Sequence, residues 1–87
     1  MLEGLSLEGK VVIVTGGGAG LGKAMAIMLG AAGADIVVAG RRLGPLEEVA
    51  AEVKAYGRRA LAIPTDISDS DQVSRMVQLV SKNFGYI

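Results

Sequence analysis

The sequence predicts a single α/β domain built on a parallel β-sheet of three strands. Short β-branched or apolar runs alternate with longer helical patterns along all 87 residues. This alternation is typical of parallel strands joined by crossover helices. A glycine-rich segment, Thr15–Gly22, separates the first apolar run from the first helical stretch. Together these observations predict the order β-α-β-α-β-α in one small domain.

Each predicted element has a local signal. The first strand is nearly continuous in β-branched residues, which indicates burial on both faces of the sheet. The first helix is apolar on almost every side, which predicts a packed helix. The second helix is predicted to begin at a proline, which is favoured at the first helical position. Ser68, with Asp71 three residues later, resembles a capping box for the third helix. The predicted elements are strand Lys10–Thr15, helix Leu21–Ala32, strand Asp35–Ala39, helix Pro45–Tyr56, strand Ala60–Pro64 and a last helix capped by Ser68 and running to about Phe84.

This order corresponds to one mononucleotide-binding half of a doubly wound sheet, with strand order 3-2-1. Right-handed crossovers place the first two helices on the same face of the sheet. Ligands of such sheets bind outside the carboxyl ends of the strands. We therefore expect the site to be formed by the segments that leave those ends, which are Thr15–Gly22, Gly40–Arg42 and Thr65–Ile67.

The first of these segments is predicted to bind a phosphate group. It holds five glycines in eight positions, and each would cost roughly 0.5–1 kcal/mol relative to alanine inside a helix or strand. A turn between a buried strand and a helix is a suitable place for them. Free backbone N–H groups and the helix dipole make the start of a helix an anion site. Gly16–Gly22 is therefore interpreted as a phosphate-binding turn.

The spacing of the glycines distinguishes three known patterns. The dinucleotide pattern G-x-G-x-x-G fails, because Leu21 or Lys23 occupies its sixth position. The Walker A pattern nearly fits from Gly17 to Lys23, but Ala24 then offers no hydroxyl for a magnesium ion. The pattern T-G-x-x-x-G-x-G fits completely, as Thr15-Gly16-x-x-x-Gly20-x-Gly22.

That last pattern resembles the cofactor loop of the short-chain dehydrogenase/reductase family, and the resemblance extends from roughly Leu7 to Gly85. It implies an NAD(P)-binding Rossmann fold, of which residues 1–87 form the N-terminal half and stop before the fourth strand. The predicted cofactor contacts in the loop are Gly16, Gly18, Ala19, Gly20, Leu21 and Gly22. A fold that binds ATP or another nucleotide stays open as an alternative because of the near match to Walker A.

The segment after the second strand bears on the choice of cofactor. NAD-binding folds place an acid about 20 residues after the glycine loop, where it bonds the ribose 2′-hydroxyl. In this sequence Gly40, Arg41 and Arg42 stand there, and the nearest acid, Asp35, lies at the other end of the strand. A guanidinium fork suits the 2′-phosphate of NADP. The sequence favours NADP over NAD, with two solvated surface arginines as the alternative.

The resemblance adds to this reading of the cofactor site. A basic residue directly after the acidic position goes with NADP in the family, and Arg41 occupies it; the family's other NADP marker is missing, since Ala19 stands in its place. Asp66 and Ile67 resemble the pair in which an acid faces the adenine amino group and an aliphatic residue covers the ring. Asp66 could instead cap a turn.

The family's catalytic residues are missing from this sequence. They are an Asn-Asn-Ala-Gly stretch, a serine and a Tyr-x-x-x-Lys pair, and Ala60 stands four residues after Tyr56. We therefore expect the chain by itself to be inactive as a dehydrogenase and name no catalytic residue. The alternative is a stand-alone nucleotide-binding or interaction module, dimerising through the edge of the first strand, since open apolar edges invite pairing.

Composition excludes several other functions. The formal net charge is zero and aromatic residues are few, which argues against a nucleic-acid partner. There is no cysteine or histidine, so neither a metal site nor disulfides are predicted, and the expected location is cytoplasmic. No apolar run approaches the roughly 20 residues of a membrane span.

Overall fold

The computed structural model describes residues 8–16 and 20–85, and the fold within them alternates strands and helices as predicted. The elements are β1 Val11–Thr15, α1 Gly20–Ala31, β2 Asp35–Gly40, α2 Leu43–Lys54, β3 Ala60–Pro64 and α3 Ser70–Phe84. Most bounds lie within one or two residues of the predicted ones, because apolar runs and glycine punctuation are local signals.

The three strands form a parallel sheet in the order β1-β2-β3. The same strands are neighbours in the predicted order 3-2-1, which counts the strands from the opposite edge of the sheet. The central strand β2 pairs on both sides, with Val37 opposite Ile13 of β1 and Leu61 of β3. Residues 36–39 of this strand are fully buried, as expected for a parallel strand with helices on both faces.

Helices cover the two faces of the sheet unequally. Successive residues of a strand point to opposite faces, so Ile36 and Val38 pack with α1 and α2, whereas Val37 and Ala39 pack with α3. The most deeply buried side chains of α2 and α3, each at most 2% exposed, are Leu46, Val49, Val53 and Val80. The prediction that the first two helices share one face is confirmed.

The structure corrects the predicted starts of α2 and α3. Helix α2 begins at Leu43, so Pro45 lies in its first turn, where the missing N–H has no intrahelical acceptor in any case. The N-cap of α3 is Asp69 rather than Ser68, and its side chain accepts from the N–H groups of Asp71 and Gln72. Ser68 lies one residue before the cap, and its hydroxyl donates to the carboxylate of Asp66, at 2.7 Å.

The predicted packing of α1 is observed on one side of the helix only. Of the described residues in this helix, Ala26 and Gly30 are buried, while Leu21 is 77% exposed and Met25 and Met28 are also exposed. The buried side approaches α2 closely: a Cβ on Gly30 would lie 2.9 Å from Cγ1 of Val53. The apolar composition of α1 therefore reflects one tight helix contact and one uncovered apolar side.

Within the described residues, every helix is too short or too polar to cross a membrane.

Candidate functional site

The carboxyl ends of the three strands meet at one edge of the sheet, and backbone hydrogen bonds join the segments that leave them. The Gly16 N–H donates to the Ala39 carbonyl at 2.8 Å, and the Thr65 N–H donates to the Gly40 carbonyl at 2.6 Å. Thr65 is 2% exposed, and its hydroxyl donates to the Ile63 carbonyl at 3.1 Å. The three predicted ligand segments therefore begin next to one another.

Two glycines give the predicted phosphate turn its shape. Gly16 and Gly20 have φ values of 68° and 59°, in the left-handed region that side chains disfavour. No described atom lies within 4 Å of a Cβ built on either residue, so the backbone conformation, rather than crowding, requires glycine at both. The predicted contacts Gly18 and Ala19 lie outside the described residues.

The turn leads directly into the start of α1. Gly20, Leu21 and Gly22 belong to the first turn of this helix, which contains no acidic residue. The N–H groups of a first turn lack intrahelical acceptors, and the helix dipole adds partial positive charge there. This end of α1 can therefore accept an anion. The Lys23 ammonium lies 3.7 Å from a carboxylate oxygen of Glu52 on α2.

Two arginines lie between β2 and α2. The Arg41 side chain is 76% exposed, and Arg42 is the N-cap of α2 with no side-chain hydrogen bond to the helix. The first turn of α2 has no acidic residue. A second helix start, directly preceded by two arginines, thus lies beside the end of β2.

The acid that precedes these arginines on β2, Asp35, forms its contacts at the opposite end of the sheet. Asp35, at the start of β2, accepts from the backbone N–H and from Nε and Nη2 of Arg59, at 3.0, 3.2 and 3.0 Å. The Arg59 guanidinium also lies 4.5 Å from the ring centre of Phe84. Asp35 is therefore excluded as the ribose acid.

The side chain of Asp66, which follows β3, is stabilised in its ionised form. Its Oδ1 accepts from the N–H and hydroxyl of Ser68, at 3.0 and 2.7 Å, and lies 3.5 Å from Nη2 of Arg41. These Ser68 hydrogen bonds, and then Arg41, lower the pKa of Asp66 below its ordinary value, so it is ionised at neutral pH. Asp66 therefore does cap the turn, as the alternative interpretation proposed, and it does so through Oδ1 alone. Ile67 beside it is 49% exposed.

A surface pocket joins the segments after β2 and β3. It has a volume of about 270 Å³ and is lined by Arg41, Pro64, Thr65, Asp66 and Gln72. Gln72 was not among the predicted site residues, and it contacts Asp66 through a hydrogen bond of 2.8 Å from the Asp66 N–H. The signal that could have found it is its position three residues after Asp69, where a capping box places Glu or Gln.

Comparison with known proteins agrees with this geometry. The sequence profile described as short chain dehydrogenase matches residues 10–87. Versicolorin reductase 1 of Dothistroma septosporum is 38% identical over 87 residues, which are 99% of this chain and 33% of that protein. The chain thus spans about a third of the length of this relative. It belongs to the short-chain dehydrogenase/reductase family.

Solved structures give the same result for the fold. A metagenomic short-chain oxidoreductase in complex with NADP has a TM-score of 0.85 and 35% identity, covering 91% of this chain and 36% of that one. An NAD⁺-bound xylitol dehydrogenase has a TM-score of 0.88 and 32% identity, covering 92% and 31%. The family's cofactor is NAD(P), and similar structures hold either form. The family match also favours a dinucleotide over the ATP suggested by the near match to Walker A.

Proposed function

We propose that this chain binds NADP(H) as the cofactor-binding segment of a short-chain dehydrogenase/reductase-type oxidoreductase. The observation that carries the proposal is the arrangement after β2. Arg41 and Arg42 flank the start of α2, whose first turn has no acidic residue, where an NAD-binding fold would place a carboxylate.

Charge decides between the two cofactors at this position. A carboxylate bonds the 2′-hydroxyl of NAD and repels the 2′-phosphate of NADP. An exposed guanidinium and free helix N–H groups attract the phosphate. Arg41 and Arg42 are therefore assigned to the 2′-phosphate.

The other contacts follow from the same edge. The pyrophosphate is assigned to the turn and the start of α1, with contacts at Gly16, Gly18, Ala19, Gly20, Leu21 and Gly22. The ionised carboxylate of Asp66 accepts the adenine 6-amino group, and the exposed side chain of Ile67 covers the ring. The volume of the pocket beside Asp66, about 270 Å³, leaves room for part of the adenosine.

Catalysis is assigned to residues that this sequence does not contain. The nicotinamide supplies the hydride, but a reductase must also hold the substrate carbonyl and supply a proton. The sequence has no Tyr-x-x-x-Lys pair, so the chain by itself is proposed to bind the cofactor without turnover, in the cytoplasm.

Titration with NADPH, NADH and ATP tests the assignment. The fluorescence of the reduced nicotinamide reports the binding of NADPH and NADH, and ATP binding is measured by its displacement of NADPH. We expect NADPH to bind most tightly and ATP most weakly. Tighter binding of ATP than of either dinucleotide would refute the dinucleotide assignment, and tighter binding of NADH would refute the NADP preference.

One observation favours a second role, that of a homodimeric binding module. Among the described residues, β1 pairs with β2 on one edge and no strand pairs with the other. Antiparallel pairing of two β1 strands would give a six-stranded sheet and remove this open edge. Sedimentation velocity over a wide concentration range tests it, and a monomer at all concentrations would contradict it.

A further inference from the structure

The start of α3 contains a capping box whose glutamine is redirected. Asp69 caps the helix through Oδ1, which accepts from the N–H groups of Asp71 and Gln72 at 3.0 and 3.3 Å. In a standard capping box the side chain at Gln72 would return to the N–H of Asp69. That N–H already donates to the Asp66 carbonyl, at 3.0 Å. The side-chain oxygen of Gln72 is therefore available to a residue that precedes the helix.

The redirected side chain holds the backbone of Asp66. Oε1 of Gln72 accepts from the Asp66 N–H at 2.8 Å, while its Nε2 donates to Oδ2 of Asp69 at 3.3 Å. The second bond fixes which end of the amide faces Asp66, because a carboxylate accepts only from the NH₂ end. The backbone N–H and C=O of Asp66 are thus both tied to the start of α3.

These contacts determine what Asp66 still has available. Ser68 occupies Oδ1 with two hydrogen bonds. Within residues 8–16 and 20–85, the hydrogen bonds and the ion pair of this carboxylate use Oδ1 and leave Oδ2 available. Gln72 lines the same pocket as Asp66. A carboxylate with a fixed backbone, one occupied oxygen and one available oxygen is preorganised to accept a single donor.

We propose that Gln72 is a positioning residue for adenine recognition: by clamping the Asp66 N–H, with its own amide oriented by Asp69, it aims Oδ2 of Asp66 at the 6-amino group of the base. The inference rests on the proposed function, because Asp66 must face the adenine. Gln72 itself need not touch the cofactor.

The test compares NADPH with its deamino analogue, in which hypoxanthine replaces adenine and a carbonyl replaces the 6-amino donor. A site that hydrogen-bonds a donor rejects the analogue that lacks it. We expect the unaltered chain to bind NADPH roughly tenfold more tightly than deamino-NADPH, a ratio typical of one hydrogen bond to a charged group. In Gln72→Met we expect that ratio to fall to about twofold, with the affinity for deamino-NADPH nearly unchanged.

Two further variants separate positioning from folding. Gln78→Met makes the same change at an exposed position of α3 and should keep the full ratio. Gln72→Glu retains an acceptor for the Asp66 N–H but loses the donor to Asp69, so its ratio should lie between those of Gln72→Met and the unaltered chain, and it serves as the test if Gln72→Met does not fold.

The possible failures are distinguishable. If the unaltered chain binds neither NADPH nor NADH, the proposed function fails. If it binds NADPH but does not discriminate against the deamino analogue, or if both Gln72 variants keep the full ratio, the positioning role is overturned while cofactor binding stands. An equal loss of affinity for both ligands would show a merely structural role and would also overturn it.

Discussion

Replacement of Arg41 by alanine is the most direct test of the NADP assignment. The substitution removes the guanidinium after β2 and leaves the start of α2 and Arg42 in place. NADH has no 2′-phosphate, so its affinity should change by less than about twofold, since substitutions away from a contact seldom cost more than about 0.5 kcal/mol. NADPH should lose a charge-assisted contact.

The size of that loss follows from exposure. A hydrogen bond to a charged group contributes about 1.5–3 kcal/mol. The Arg41 side chain is 76% exposed and lies 3.5 Å from Asp66 before the cofactor binds, so solvent screening and the loss of that ion pair both favour the lower end. A cost of about 1.5 kcal/mol corresponds to roughly tenfold weaker binding of NADPH. Arg41→Asp should go further and favour NADH over NADPH.

Fluorescence titration of both cofactors, in low and in high salt, measures this effect. Raising the salt from about 0.1 M to about 1 M shortens the Debye length from about 10 Å to about 3 Å, so the difference between the chain and its variant should shrink. Lys54→Ala is the matched control, because it removes one positive charge at the other end of α2, roughly 16 Å away along the helix axis. Equal losses for NADPH and NADH, or no loss for either, would show that Arg41 does not contact the 2′-phosphate.

The remaining predictions concern stability and protonation. Gly30→Ala should lower the free energy of unfolding by about 1–2 kcal/mol in a denaturant titration. The new Cβ would lie 2.9 Å from Val53, and this overpacking outweighs the gain in helix propensity. The control Gly44→Ala, with no described atom within 4 Å of its Cβ, should leave stability unchanged or raise it by up to about 1 kcal/mol. Ser68→Ala should raise the pKa of Asp66 toward its ordinary value in a carboxylate NMR titration, since the hydrogen bond from the Ser68 hydroxyl is the largest cause of the lowered pKa. A carboxyl with a lowered pKa stabilises the fold at pH values above its unfolded pKa, and that contribution is lost as the pH falls through the folded pKa. The Ser68→Ala variant should therefore lose less stability than the unaltered chain over this acid range. Equal acid sensitivity of the two would contradict the assignment.

The element order could be read from the sequence because its signals are local. The β-branched runs, the amphipathic stripe of α2 and the glycines between elements each act within a few residues. The exact cap of α3 could not be read in the same way, since Ser68, Asp69 and Ser70 are all good N-cap residues. In the structure Asp69 is the cap and the Ser68 hydroxyl donates to the Asp66 carboxylate, an outcome that the residue types alone do not decide.

The candidate site was predictable as a set of separate residues but not as a network. Sequence patterns indicated Arg41 and Asp66 independently, one after β2 and one after β3. That they form an ion pair at 3.5 Å depends on the two segments being neighbours, which the Thr65–Gly40 hydrogen bond of the backbone secures. The exposure of α1 was likewise unpredictable, because apolar composition does not reveal which side is covered.

The two ends of the sheet differ in how their polar groups are used, and this difference supports the proposed position of the cofactor. At the amino ends of the strands, Asp35 is satisfied by three hydrogen bonds from Arg59, which itself lies over Phe84. At the carboxyl ends, two helices begin without an acidic residue in the first turn, and an ionised carboxylate, that of Asp66, lies beside an exposed arginine. Satisfied ionic contacts stabilise a fold but offer little to a ligand, whereas donors without acceptors and a carboxylate held by its backbone are ready for one. A molecule that carries a pyrophosphate, a second phosphate and an amino-substituted base meets all of these groups at once, which is why the proposal is NADP rather than a simpler anion.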